Sequence, residues 1–351
     1  MRRRRKAPRE VRQAPRDLSR AVDELSWTVE LDDHEQRLDL FLSARLEWRS
    51  RTSIVELLQA GQVRVGEEVV RKKAWRVRQG DRVAVAVPPP EEPERHAELA
   101  EELEPAVLYE DEHLIALAKP AGLVVHPVGR IRVNTLIQAL HWRFRHGARQ
   151  GEEVLGGSRP GEVGPVVPRV CHRLDRDTSG VIVLAKNAAA RTALGLVIEG
   201  DRRALGELTK EYVACVHGAP DPPTGEVDAA IGPDEASENE VLVTLRPDGL
   251  PARTSYAVEA VHGARSWVRF TLHTGRQHQI RIHAAQGLGC PILCDPLYGR
   301  GERGFPEGVP VIARQALHAE RLVLPHPASG APLGLRAPWP ADLRALFERA
   351  D

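Results

Sequence analysis

The sequence predicts an α+β fold, because segments with strand and helix periodicity mix along the chain without a regular βαβ rhythm. Its 351 residues are enough for two or three domains. No apolar run approaches the ~18 residues that a membrane span requires. The four cysteines are too few and too widely spaced for a disulfide framework, which favours a reducing cytoplasm.

Residues 27–87 have the pattern of a small module with two helices and a short β unit. We expect strands at 27–31, 62–65 and 82–87, one helix through Leu38–Leu46 and another at 50–60. The module carries a cluster of basic side chains, which comprises Arg37, Arg45, Arg49, Arg51, Arg64, Arg71, Lys72, Lys73, Arg76 and Arg78. Nearby acids almost balance these charges, so the cluster fits either an RNA-binding face or an ordinary solvated surface.

Two segments of strong local charge border this module. Residues 1–20 hold nine Lys or Arg against two acids, so we expect 1–26 to be either a disordered basic tail or an arm that binds RNA. Residues 88–106 hold seven Glu and five Pro, a composition typical of a stiff acidic linker. A larger domain is predicted over 107–351.

The larger domain alternates short apolar strands with helices. A Gly- and Pro-rich loop is expected over 146–168. We predict strands at 107–109, 114–118, 181–185, 210–217, 253–261, 265–273 and 311–325, and helices at 135–145, 188–199, 279–286 and 340–350.

The densest polar cluster of the chain is His172-Arg173-Leu174-Asp175-Arg176-Asp177-Thr178-Ser179-Gly180, directly before the apolar run 181–185. Loops held by a scaffold often carry reactive groups. Asp175 follows Leu174, which requires burial, so we expect Asp175 at the rim of a pocket with a cationic partner. Asp177 to Gly180 are typical of an Asx-type turn.

Two further clusters could supply partners for Asp175. In 274–283, helical spacing places Arg276, Gln279, Ile280 and His283 on one side and Arg281 beside His278. In 210–214, strand alternation places Lys210, Tyr212 and Ala214 on one face. Tyr212 fits either a core position or a platform on which an unpaired base stacks.

Several other chemistries lack their usual residue patterns. No phosphate-binding Gly-rich loop and no Gly-x-Ser-x-Gly elbow occurs in the sequence. Cys290 and Cys294, with His283 nearby, do not show the spacing of a zinc site. A glycoside hydrolase would need a second carboxylate opposite Asp175, and Asp295 is the candidate that we can name.

At the three polar clusters the chain resembles the RluA family of RNA pseudouridine synthases. The family signature His-Arg-Leu-Asp-x-x-Thr-Ser-Gly is matched at 172–180 without a break. Position 290 is Cys where the family often has His, and position 294 is Cys where Gly is usual. The first module resembles the S4 RNA-binding domain. The other matching segments are 119–127, 210–214, 274–283 and 289–299.

The resemblance implies a catalytic domain with a central, largely antiparallel mixed sheet and flanking helices. Asp175 would act as the nucleophile or base that cleaves the C1′–N1 bond of uridine. Arg281 would pair with Asp175, and Tyr212 would stack on the uracil and assist proton removal from C5. Arg173 would fill the gap left by a flipped-out base, which costs a few kcal/mol of lost stacking. The remaining expected substrate-binding residues are His172, which orients the loop, together with Arg276, His278 and Ile280.

The resemblance implies no metal and no organic cofactor, since uracil is both leaving group and nucleophile. The expected substrate is structured RNA, above all large-subunit (23S) ribosomal RNA, and a monomer without a membrane partner is expected. A tRNA substrate and a non-catalytic RNA-binding factor for ribosome assembly are the alternatives. The intact Asp175, Tyr212 and Arg281 argue against the non-catalytic factor.

Overall fold

The computed structural model describes residues 24–46, 51–86, 95–128, 131–146, 166–200, 206–237, 239, 241–299 and 312–348. Residues 1–23 of the predicted basic tail and 147–165 of the predicted loop lie outside these ranges. The chain forms two compact units, Met1–Ala100 with His126–Pro168, and Glu101–Val125 with Arg169–Asp351. No helix in the described ranges is long and apolar enough to cross a membrane.

The first unit contains a four-stranded antiparallel sheet with the strand order β1-β4-β2-β3. The strands are β1 (Glu24–Thr28), β2 (Val63–Val65), β3 (Glu68–Val69) and β4 (Arg82–Ala86). Residues 24–26 of the predicted tail are therefore part of a strand, because Leu25 and Trp27 pack on the apolar core of this unit.

Helices α1 (Leu38–Ser43) and α2 (Arg51–Gln59) cover the sheet of the first unit. Phe41, Leu42, Ile54 and Leu58 are fully buried between the helices and the strands, as their spacing predicts. The unit also includes α4 (Leu136–His146). The guanidinium of Arg132, shortly before α4, donates a hydrogen bond of 2.7 Å to the hydroxyl of Ser53.

The predicted linker is not extended throughout, since α3 (His96–Leu103) forms inside it. His96, Ala100 and Leu103 are buried and follow helical spacing. The flanking prolines and the many acidic side chains made this helical spacing hard to recognise in the sequence. No proline stands between Pro93 and Pro105, and Glu, Ala and Leu in that interval favour a helix.

The second unit is built on a ten-stranded sheet, in which β10-β13-β14-β9-β15-β8-β6-β5 follow one another while β7 pairs with β8 and β16 with β15. All pairs are antiparallel except β8 with β15, which confirms the α+β class and the largely antiparallel mixed sheet. The strands are β5 (Val107–Glu110), β6 (Leu114–Lys119), β7 (Arg169–Val170), β8 (Ser179–Ala185), β9 (Thr209–His217), β10 (Thr224–Asp228), β13 (Arg253–His262), β14 (Arg265–Leu272), β15 (Leu317–Pro325) and β16 (Pro332–Arg336).

A separate two-stranded sheet and three helices complete the second unit. The small sheet pairs β11 (Ile231–Pro233) with β12 (Val243–Leu245), strands that have little periodicity in the sequence. The helices are α5 (Ala188–Glu199), α6 (Gln279–Ile282) and α7 (Ala341–Glu348). The single helix predicted at 279–286 is instead the short α6 followed by a π-helical turn, His283–Gly287.

Candidate active site

The signature segment 172–180 forms a tight turn that leads into the buried strand β8. The amide of Thr178 donates to the carbonyl oxygen of Asp175 at 3.2 Å, so the turn spans Asp175–Thr178. The predicted Asx-type turn at 177–180 is therefore wrong. The carboxylate of Asp177 accepts hydrogen bonds from Arg176 instead, and Ser179 and Gly180 are the first residues of β8.

Gly180 belongs to the signature because two strands approach each other closely there. Its φ is +124°, and a Cβ at this position would lie 2.2 Å from the carbonyl oxygen of Ala319 on β15. Ala319 and Gly180 are partners in the parallel pairing of β15 with β8. Any larger residue would push these strands apart and move the turn that carries Asp175.

Asp175 lies at the end of a chain of buried charges. Nη1 of Arg281 is 3.2 Å from Oδ2 of Asp175, and Nε and Nη2 of Arg281 are each 2.7 Å from an oxygen of Asp295. The side chain of Asp175 is 30% exposed, whereas Arg281 is 4% exposed and Asp295 fully buried. The expected cationic partner of Asp175 is thus in place. Of the two carboxylates that bind Arg281, that of Asp175 is the accessible one.

The carboxylates of Asp295 and Asp175 keep Arg281 charged. Burial opposes the charge of the guanidinium, but Asp295 and Asp175 outweigh it and raise the pKa of Arg281. The bidentate geometry between Arg281 and Asp295 fixes the plane of the guanidinium, because each group offers two parallel partners. Asp295 is further held by the amides of Leu297 and Tyr298, at 2.9 and 3.1 Å.

His278 lies near the same oxygen of Asp175 as Arg281. Its Nε2 is 4.0 Å from Oδ2 of Asp175, and its Nδ1 is 2.8 Å from the hydroxyl of Tyr298. The residue has a left-handed backbone, with φ of 52°, and immediately precedes α6. Burial lowers the pKa of His278, and Arg281 lowers it further while Asp175 opposes the shift.

Tyr212, on β9, faces the same region as Asp175. Burial raises its pKa, and the negative charge of Asp175 raises it further. The ring is 9% exposed, and its strand pairs Tyr212 with Phe270 of β14. Both effects favour the protonated form of the phenol.

The other predicted site residues differ in their placement. His172 is turned toward the scaffold, since the amide of Val183 donates to its Nε2 at 3.0 Å. Burial, with Lys210 nearby, lowers the pKa of His172 to about 4. Arg173 is exposed and has no side-chain hydrogen bond or ion pair within the described ranges. Nε of Arg276 donates to the carbonyl of Pro251 at 3.0 Å, and Ile280 is buried.

The geometry does not fit the glycoside hydrolase considered from the sequence. Asp295 has no exposed side-chain surface and binds the same guanidinium as Asp175. A hydrolase needs its two carboxyl groups on opposite sides of the scissile bond. The ring of His283 is turned toward the protein interior, where its nitrogens contact the hydroxyl of Thr254 at 2.9 Å and the carbonyl of Ala229 at 3.0 Å.

The described part of the chain contains no group of three or more His, Cys, Asp or Glu arranged to hold a metal ion. Cys215, Cys290 and Cys294 are buried and are not joined in disulfides. Cys294 has φ of 59°, the left-handed region that favours glycine. This backbone explains why glycine is usual at the position in the family that the sequence resembles.

Two residues that support the candidate site, Tyr298 and Lys119, were not predicted as site residues from the sequence. Tyr298 lies three residues after Asp295 in the matching segment 289–299, which was the available signal. Lys119 is 1% exposed, and its ammonium group donates to the carbonyls of Pro120, Leu123 and Arg176 at 2.8, 3.0 and 2.9 Å. It therefore ties the Lys-Pro-Ala-Gly turn to the turn that carries Asp175.

Replacing Lys119 with methionine should lower the free energy of unfolding by about 2–4 kcal/mol, because buried carbonyl groups lose their donor.

Burial lowers the pKa of Lys119 to about 7 from the usual 10.5, although Asp177 and Asp175 oppose the shift. Between about pH 7 and pH 10 the unfolded chain binds a proton here that the folded protein has released, so this residue makes stability rise with pH.

Urea denaturation of the wild type and of Lys119→Met across this pH range measures both effects. We expect the stability of the wild type to rise with pH relative to the variant. Parallel pH profiles for the two proteins would contradict the assignment.

Comparisons with known proteins show which family the chain is similar to. The RNA pseudouridylate synthase family model matches residues 113–286, and the S4 domain model matches residues 36–83. An uncharacterized RNA pseudouridine synthase of Bacillus subtilis is 33% identical over 93% of this chain and 97% of that protein. The chain belongs to the RNA pseudouridylate synthase family. It is thus an RNA-modifying isomerase with an S4 domain, and the resemblance seen in the sequence is confirmed.

Other members of the family extend this similarity. The ribosomal large subunit pseudouridine synthase D of Xanthomonas campestris is 36% identical over 89% of this chain and 88% of that protein. Among solved structures, human RNA pseudouridylate synthase domain containing 4 superposes with a TM-score of 0.55 at 26% identity, covering 73% of this chain and 97% of that one.

Proposed function

We propose that this pseudouridine synthase modifies uridines of large-subunit ribosomal RNA and that Asp175 is its catalytic residue. The observation that carries the choice of Asp175 is its position as the accessible end of the chain Asp295–Arg281–Asp175. The choice of ribosomal RNA is supported by the names of relatives such as the large subunit synthase D of Xanthomonas campestris.

In this proposal Asp175 drives cleavage of the C1′–N1 bond, and the freed uracil rejoins C1′ through C5. The proton displaced from C5 is balanced by the proton that N1 gains, so the reaction is an isomerisation. The uracil stacks on Tyr212 beside Ile280. Arg173 enters the space left in the RNA, a role supported by its exposure and its lack of a partner in the described residues.

We further propose that residues 27–87 hold the RNA, the domain 107–351 carries out the reaction, and the enzyme acts in the cytoplasm. Many basic side chains of the S4 domain are already engaged: Arg37 pairs with Asp39, and Arg45 with Asp33. Lys72 and Lys73 are exposed, and neither has a side-chain partner among the described residues. These two ammonium groups are available for phosphate contacts. Arg49 lies outside the described residues.

Changing both Lys72 and Lys73 to alanine should weaken RNA binding and reduce its salt dependence. Each lost phosphate contact removes about 0.7–0.9 from the slope of log K against log salt concentration, so the pair should lower it by about 1.5. Filter binding of a ribosomal RNA fragment over a series of salt concentrations measures the slope. The double change to arginine keeps both charges and serves as the control. An unchanged slope in the alanine variant would reject this role.

Pseudouridine mapping in total RNA tests the substrate. Cells that lack the gene should lose modification at specific positions of large-subunit ribosomal RNA, and a plasmid copy of the gene should restore it. Loss confined to tRNA would reject the ribosomal substrate and favour the tRNA alternative. Loss at no position, together with retained RNA binding, would favour the non-catalytic factor.

A further inference from the structure

We propose that His278 is a positioning residue that holds the Asp175 carboxylate through its Nε2–H, and that Tyr298 selects the tautomer able to do so. This inference rests on the proposed role of Asp175. It concerns three side chains that come from separate segments: the turn before β8, the residue before α6, and the segment after Asp295.

The hydrogen bonds of Tyr298 indicate which atoms donate and which accept in the series Tyr298–His278–Asp175. The amide of Val243 donates to the phenol oxygen of Tyr298 at 3.1 Å, so that oxygen already acts as an acceptor. We therefore place the phenol hydrogen on the 2.8 Å contact with Nδ1 of His278, as part of the proposal. Burial raises the pKa of Tyr298, which keeps that hydrogen in place.

The tautomer of His278 follows from this bond. A neutral imidazole has one nitrogen that donates and one that accepts. Because Nδ1 accepts from Tyr298, Nε2 carries the hydrogen, and Nε2 is the nitrogen that faces Asp175 at 4.0 Å. Such a distance exceeds that of a hydrogen bond, but catalytic hydrogen bonds are often long without substrate and shorten in the substrate complex.

The two oxygens of Asp175 are consequently different. Arg281 and His278 both face Oδ2, whereas Oδ1 has no hydrogen bond within the described residues. Oδ1 is therefore the oxygen that the protein leaves for the substrate. Arg281 already donates to Oδ2, and a shortened contact from His278 would add a second donor there, which would restrict rotation about the Cβ–Cγ bond and the direction in which Oδ1 points.

The packing around Tyr298 supports a fixed arrangement. Its ring makes an edge contact with the ring of His278, at a centroid distance of 5.6 Å. The guanidinium carbon of Arg281 lies 5.2 Å from the centre of the Tyr298 ring. The same phenol thus contacts both residues that hold Asp175. The left-handed backbone of His278 is a costly conformation that persists only where the surroundings enforce it.

The test combines a tautomer measurement with kinetics. In ¹⁵N-histidine NMR of the full-length protein, His278, assigned by its absence in His278→Gln, should be in the Nε2–H form in the wild type. In Tyr298→Phe it should become a mixture of tautomers. The single-turnover rate of pseudouridine formation should fall about 10- to 100-fold in Tyr298→Phe, by analogy with the loss of the hydrogen-bond partner of a metal-bound histidine, with RNA affinity unchanged.

Two further variants separate positioning from general damage. Tyr256→Phe also removes a phenol, whose hydrogen bond to the carbonyl of Pro222 is 3.2 Å long and outside the site, and it should keep the wild-type rate. His278→Gln retains a side-chain N–H donor and should be faster than His278→Ala.

Each result has a distinct meaning. An unchanged tautomer and rate in Tyr298→Phe would overturn the inference, as would an equal loss of rate in Tyr256→Phe. A wild-type protein that forms no pseudouridine in any ribosomal or transfer RNA would instead overturn the proposed function, whatever the tautomer of His278.

Discussion

Asp175→Asn is expected to abolish pseudouridine formation while leaving RNA binding close to that of the wild type. The amide keeps the size of the side chain and can still accept a hydrogen bond from Arg281, at the 3.2 Å contact. It cannot act as nucleophile or base, and loss of such a group typically lowers the rate by about three orders of magnitude or more. Tritium release from RNA that contains 5-³H-uridine measures the reaction directly.

Asp177→Asn is the matched control, because it makes the same change two residues away. The Asp177 carboxylate pairs with the exposed Arg176 and not with Arg281. We expect this variant to keep most of its activity. Release at the wild-type rate from Asp175→Asn, or equal loss in both variants, would contradict the assignment of Asp175.

Asp295→Ala is expected to lower the free energy of unfolding by about 3–5 kcal/mol, the usual cost of removing one partner of a buried ion pair. The side chain of Arg281 is 4% exposed, so its Nε and Nη2 groups would lose their acceptors without gaining water. The amides of Leu297 and Tyr298 would lose theirs as well. Activity should fall too, because Arg281 would no longer be held toward Asp175.

Urea denaturation followed by circular dichroism measures this loss. Asp248→Ala is a suitable control: Asp248 also accepts two hydrogen bonds from one arginine, Arg246, at 2.6 and 2.7 Å, but in solvent. Water replaces the lost contacts there, so this variant should be nearly as stable as the wild type. If Asp295→Ala were as stable as Asp248→Ala, Arg281 would have to find other acceptors.

The sequence predicted the parts of the fold in which one face of an element is apolar. α5 and the strands β13 and β14 lie close to the predicted ranges: α5 buries one face, burial alternates along the first part of β13, and most of β14 is buried. β11 and β12 were missed because each is three residues long and their pairing depends on contacts distant in sequence. The helix within the linker was missed because its short apolar face is hidden among glutamates.

For the candidate site, residue types were easier to predict than partners. A carboxylate behind Leu174 needed a cation, and Arg281 is that cation. The helical spacing assumed for 274–283 holds only over Gln279–Ile282, because α6 is one turn long and the left-handed residue His278 precedes it. Asp295 was weighed as a possible reactive group from its residue type, whereas its complete burial makes it a support for Arg281.

The chain Asp295–Arg281–Asp175 holds two carboxylates and one guanidinium, so its formal charge is −2 + 1 = −1. RNA is a polyanion, so we expect these three side chains to repel the phosphate groups on either side of the target uridine. An uncharged uracil ring would approach them without that repulsion. The nearby ammonium group of Lys119 reduces the repulsion, so the expected preference for the nucleobase over the backbone is local to Asp175.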